Sequence, residues 1–117
     1  MSEVQIWHNN RCSKSRAVMT LLEESGIEVE VFKYLDEELD VAMIKELLLK
    51  LDIDAIDLMR TKEAKYKELM LDKMGDEGVL IRAMSRFPEL IERPIVIKGN
   101  KAVIGRPIEN VIGLIKS

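Results

Sequence analysis

The decapeptide from Trp7 to Arg16, WHNNRCSKSR, contains the only cysteine and the only histidine of the chain. Arg11, Lys14 and Arg16 are interleaved with them. A single Cys closes no internal disulfide. One Cys and one His also fall short of the four ligands of a structural zinc site. Redox chemistry at Cys12 must therefore finish on a sulfur from another molecule. A lone Cys in apolar surroundings is commonly a small buried hydrophobe, but the cations around Cys12 argue for a reactive thiol.

The position of Cys12 is set by its flanks. Val4 to Trp7 alternates as a short strand. From Ser13 the sequence reads as a helix, with Ala17, Val18, Leu21 and Leu22 on one face, Ser13 as its N-cap and Gly26 just past its last turn. Cys12 is then expected at a helix N-terminus, where unpaired N–H groups and the positive end of the dipole favour a thiolate. Thiols in such places have pKa values of about 3.5–7.5, against about 8.5 when free. The same N–H groups suit a tetrahedral oxyanion. Cations at a helix N-terminus weaken the helix itself, so Arg11, Lys14 and Arg16 point to function. His8 has two readings: a proton donor or acceptor that helps hold the thiolate, or a loop histidine bonded to backbone.

Beyond the helix, Glu28 to Phe32 alternates as a second strand, and strand–helix–strand predicts parallel pairing. Asp40 caps a helical segment with Val41, Ile44, Leu47, Leu48 and Leu51 on one face. Ile53 to Met59 reads as a short helix, Thr61 to Leu71 as a turn or two of helix, and Asp76 to Arg86 as a further helix closed by Pro88. Arg93 to Ile97 and Lys101 to Ile104 form a hairpin across Gly99-Asn100, and Pro107 or Ile108 opens a last helix through Ile115. The order β-α-β, helices, β-β-α predicts an α/β protein of thioredoxin-like layout. It has one mixed four-stranded sheet and a helical insertion over about 39–92, within a single domain spanning residues 1–117.

The 117 residues carry a net charge of −3, which provides no global basic field for nucleic acid or an anionic membrane. No apolar run approaches the roughly 20 residues of a membrane span, and no signal peptide is visible. A cytoplasmic location is the default expectation. Arg93 precedes Pro94, Arg106 lies between Gly105 and Pro107, and Arg60 ends the apolar run Ala55 to Met59. Nothing local shows that these arginines meet.

HNNRCSKSR, Leu58-Met59-Arg60, Glu92-Arg93-Pro94-Ile95 and Ile104-Gly105-Arg106-Pro107, in this order, resemble the glutaredoxin-coupled arsenate reductase family over nearly the whole chain. That family also includes Spx-type transcription regulators and glutathione-dependent reductases. The resemblance implies Cys12 as nucleophile, His8 as the histidine supporting it, and Arg60, Arg93 and Arg106 as oxyanion ligands. Arg11, Ser15 and Arg16 would support the site, and Pro94 would be the cis-proline facing the thiol. It implies arsenate as substrate, glutathione as co-substrate and glutaredoxin as protein partner, with no bound cofactor and no metal. Two departures stand out. Asn10 replaces a proline common in the family. Asn9 and Ser15 also stand where the Spx branch would place the second cysteine of its switch, which weakens a polymerase-binding reading. A glutathione-dependent reductase acting on another substrate is the remaining alternative.

Overall fold

The computed structural model describes residues 3–73 and 75–117. Two compact units divide it: residues up to Glu37 together with Arg93–Ser117, and Glu38–Glu92.

The first unit is built on a four-stranded sheet in the order β2-β1-β3-β4. The strands are β1 (Val4–Trp7), β2 (Val29–Phe32), β3 (Ile95–Lys98) and β4 (Lys101–Ile104), with helices α1 (Ser13–Glu24) and α6 (Glu109–Ile115). β1 runs parallel to β2 and antiparallel to β3, which is antiparallel to β4. This is the mixed sheet of the thioredoxin-like fold. Val4 and Ile6 of β1, Val96 of β3, Val18 and Leu22 of α1, and Val111 and Leu114 of α6 form its core. Burying each such side chain contributes about 1.5–3 kcal/mol. Residues 15, 18 and 22 of α1 are buried, one helical face. The polar member of that face, Ser15, is completely buried.

Register places the site. Trp7 pairs with Phe32 and Ile95, and Ile95 pairs with Ile104. The residues after β1, before β3 and after β4 therefore share one end of the sheet. His8 to Cys12, Arg93-Pro94 and Gly105-Arg106 converge there although they are far apart in sequence. The Arg93–Pro94 and Arg106–Pro107 bonds are both cis. Gly105 donates its N–H to the Pro94 carbonyl at 2.8 Å.

The second unit contains α2 (Val41–Leu51), α3 (Ala55–Leu58), α4 (Ala64–Glu68), α5 (Glu77–Arg86) and a 3-10 turn at Pro88–Leu90. Asp40 caps α2 by accepting the Met43 N–H, and Asp76 caps α5 by accepting the Gly78 N–H. α5 ends at Arg86: Pro88 keeps Phe87 out of helical dihedrals, which closes the helix as expected, and then opens the 3-10 turn. No helix among the described residues is long and apolar enough to cross a membrane.

Candidate active site

Cys12, not Ser13, is the N-cap of α1, with extended dihedrals of −98° and 122°. Its sulfur closes no geometric capping bond in the manner of a serine. Cys12 is buried, only 8% exposed. Its cover includes charged donors: Nη2 of Arg106 lies 3.7 Å from Sγ, from a residue 94 positions away. The thiol pKa is lowered. Burial pushes it up, but the Ser15 and Lys14 amides, the Arg106 side chain and the Arg93 charge together pull it down further.

The loop before the cysteine is a turn closed by the Cys12 N–H on the Asn9 carbonyl at 3.0 Å. Asn9 Oδ1 accepts the Arg11 N–H at 3.0 Å, and Arg16 Nη1 donates to the Asn10 carbonyl at 3.1 Å. Asn10 and Arg11 are not among the positive-φ residues, so the turn is of type I, whose second position accepts proline readily. Asn10 stands at that position, so the turn observed here has a backbone site that a proline would also suit.

His8 is buried and its Nδ1 lies 2.7 Å from the Ser15 hydroxyl, which also accepts the Asn9 N–H at 3.1 Å. If Nδ1 carried the proton, the Ser15 hydroxyl proton would lack an acceptor in a sealed site. The network therefore assigns Nδ1 as acceptor and the ring proton to Nε2. The His8 pKa is lowered by burial, then by Lys33 and Arg16. Among the described residues the ring bonds to Ser15 rather than to the thiol.

Arg93 and Arg106 are both partly buried. The Nε of each is buried without a hydrogen-bond partner. Such orphaned donors are uncommon and mark places where a bound anion or water belongs. Arg60 belongs to the second unit. There its guanidinium pairs with Glu63 at 3.3 Å and Glu92 at 3.8 Å and donates to the Glu89 carbonyl at 3.3 Å. A cleft of about 650 Å³ in the same unit is lined by Asp52, Asp54, Asp57 and Glu77 among others. It includes no residue predicted for the site, and its carboxylates would repel an oxyanion.

Sequence reasoning missed Lys33 as an influence on His8 and Asn9 as the organiser of the turn. It also left Gly105 without a role. A Cβ at Gly105 would lie 2.9 Å from Pro94 Cγ and 3.2 Å from Val18 Cγ2. The usable signals were an asparagine two residues before Arg11, and a glycine directly between a strand and an Arg-Pro pair.

The ArsC family model matches residues 7–113. The chain belongs to the ArsC family. An arsenate reductase of Neisseria meningitidis is 50% identical over 113 residues, which is 95% of this chain and 97% of the relative. The solved structure of a Yersinia pestis protein is 50% identical with a TM-score of 0.89, covering 94% of this chain and 98% of that one. An arsenate reductase from Vibrio cholerae is 43% identical with a TM-score of 0.87, covering 94% of this chain and 95% of its own.

Proposed function

We propose that this ArsC-family chain reduces arsenate to arsenite, with Cys12 as nucleophile and glutathione and glutaredoxin as external thiols. The observation that carries the reading is the pairing of a thiol of lowered pKa with guanidinium donors that have buried, unused N–H groups beside it. The names of the Neisseria and Vibrio relatives support the same substrate.

The Cys12 thiolate attacks arsenic and displaces one oxygen as water or hydroxide. Arg93, Arg106 and the first amides of α1 hold the oxyanion and spread its charge. The family resemblance alone adds Arg60 as a third ligand, a role that the arsenate KM of Arg60→Ala tests. A glutathione thiol then adds to arsenic, and its proton leaves with a second oxygen as water. Arsenic is still pentavalent. The glutaredoxin thiolate attacks the glutathione sulfur, forming a mixed disulfide, and the bonding pair of the broken S–As bond stays on arsenic. Arsenic is thereby reduced by two electrons. Hydrolysis of the remaining Cys12–arsenic bond releases arsenite and restores the thiolate. His8 acts as a positioning residue through Ser15.

The test is glutathione- and glutaredoxin-dependent consumption of arsenate by purified protein, compared with Cys12→Ser. Turnover lost only in the variant is expected. A parent protein inactive with fresh thiols and glutaredoxin would overturn the proposal.

A further inference from the structure

Arg11 and Lys14 bracket Cys12 and are both exposed. Arg11 contributes only its backbone N–H to the turn. Among the described residues neither side chain has an ion pair or hydrogen bond, whereas Arg16 is tied to the Asn10 carbonyl and Arg106 to the sulfur. The first turn of α1 holds no acidic residue to balance them. Cations there act against the helix dipole. The lowered thiol pKa also owes its principal contributions to amides, Arg106 and Arg93, not to these two side chains. The chain thus keeps two positive side chains that stabilise neither the helix nor, to any large degree, the thiolate.

A small oxyanion is served by the partly buried Arg93 and Arg106, whose unused Nε atoms lie out of water. Exposed cations suit a longer ligand whose charges stay at the surface while its reactive end reaches the sulfur. We infer that Arg11 and Lys14 form a subsite for the carboxylates of an anionic low-molecular-weight thiol, the donor that adds to the Cys12 adduct. This deepens the arsenate reductase reading and rests on it for the identity of the adduct. In the step concerned, the donor sulfur bonds to arsenic and its proton departs with an arsenic-bound oxygen as water. No electrons are transferred in it.

The experiment reads the subsite without arsenate. Cys12 is labelled with iodoacetamide while S-methylglutathione, which has the carboxylates but no thiol, is titrated as protectant. Protection is expected in the parent protein. The half-protecting concentration should rise about three- to tenfold in Arg11→Ala/Lys14→Ala, as expected for two exposed ion pairs. The charge-keeping pair Arg11→Lys/Lys14→Arg should stay near the parent value, and the diethyl ester of S-methylglutathione should protect weakly. No protection in the parent, equal protection in the alanine variant, or protection by the ester as strong as by the acid would overturn the inference. Protection without arsenate turnover would support the subsite and sink the arsenate reading instead.

Discussion

The buried Ser15 hydroxyl lies 2.7 Å from Nδ1 of His8, and the backbone amide of the same serine helps lower the pKa of Cys12. One residue thus joins the histidine to the thiolate through its own position on α1. Ser15→Ala removes the hydroxyl and strands both the His8 nitrogen and the Asn9 N–H. Losing a buried partner in this way costs about 1–3 kcal/mol. Chemical denaturation should show that loss. The midpoint of the Cys12 alkylation profile should also move up, while Ser15→Thr keeps part of both properties. An unchanged midpoint in Ser15→Ala would separate the hydroxyl from the thiol.

Stability should rise with pH across two windows. His8 has a pKa below its ordinary 6.5, so the unfolded chain binds its proton first as pH falls. Its contribution is complete above 6.5 and is lost as pH drops through the lower, folded value. The Cys12 pKa is also lowered, from an ordinary 9.0. The same sign follows: its contribution is complete above 9.0 and is lost as pH falls through the folded value. Denaturant midpoints measured from pH 5 to 9.5 should climb in both ranges. Cys12→Ser should flatten the upper range and His8→Asn the lower. A midpoint that falls with pH below 6.5 would contradict the buried neutral histidine.

Much of the fold could be read from short-range patterns. The alternation of Val4 to Trp7, the cap at Asp40 and the turn at Gly99-Asn100 are local facts about backbone geometry, and the structure keeps them. The errors occur where local rules compete. Ser13 is a good capping residue, yet the register after β1 places Cys12 at the cap. Pro88 stops α5 as expected, by holding Phe87 out of helical dihedrals, but it also starts a 3-10 turn that the pattern did not indicate. The thiol itself was legible from its neighbours. Its burial was not, because the Arg106 side chain that reaches it is brought there by the pairing of β3 with β4.

Gly105 shows what that pairing demands. A methyl group at this position would press on Pro94, Val18 and Val111 at 2.9, 3.2 and 3.3 Å. A proline ring and two β-branched side chains yield little. Gly105→Ala should cost about 1–3 kcal/mol as an overpacked core substitution and lower the melting temperature by about 3–15 °C. The shift falls next to Arg106, so the alkylation rate of Cys12 at neutral pH should drop as well. A melting temperature equal to the parent's would mean the close approach is relieved at no cost.

Asn10 offers the opposite case. It occupies the second position of a type I turn, and among the described residues its N–H has no hydrogen bond, while its carbonyl, which proline would retain, accepts from Arg16. Asn10→Pro should therefore stabilise the protein by about 0.4–1 kcal/mol through the unfolded state and leave the alkylation midpoint of Cys12 in place. Destabilisation in a denaturant titration would show that the turn backbone does not match a proline.

The three arginines should separate by environment. Arg93 and Arg106 have buried, unpaired Nε atoms, so a bound oxyanion gains charged hydrogen bonds there without first breaking any at those atoms. Replacing either with Ala should raise the arsenate KM about ten- to a hundredfold, the loss of about 1.5–3 kcal/mol expected for a hydrogen bond to a charged group. Arg106→Ala should also raise the thiol midpoint, because this side chain touches the sulfur. Arg60 is already engaged by Glu63 and Glu92. If it also binds substrate, those carboxylates compete with arsenate for it. Glu63→Gln should then lower the arsenate KM by about two- to fivefold, the worth of a partly exposed ion pair, whereas Arg60→Ala raises it. Equal KM values for parent, Glu63→Gln and Arg60→Ala would remove Arg60 from the oxyanion site and leave Arg93 and Arg106 to hold the anion with the amides of α1.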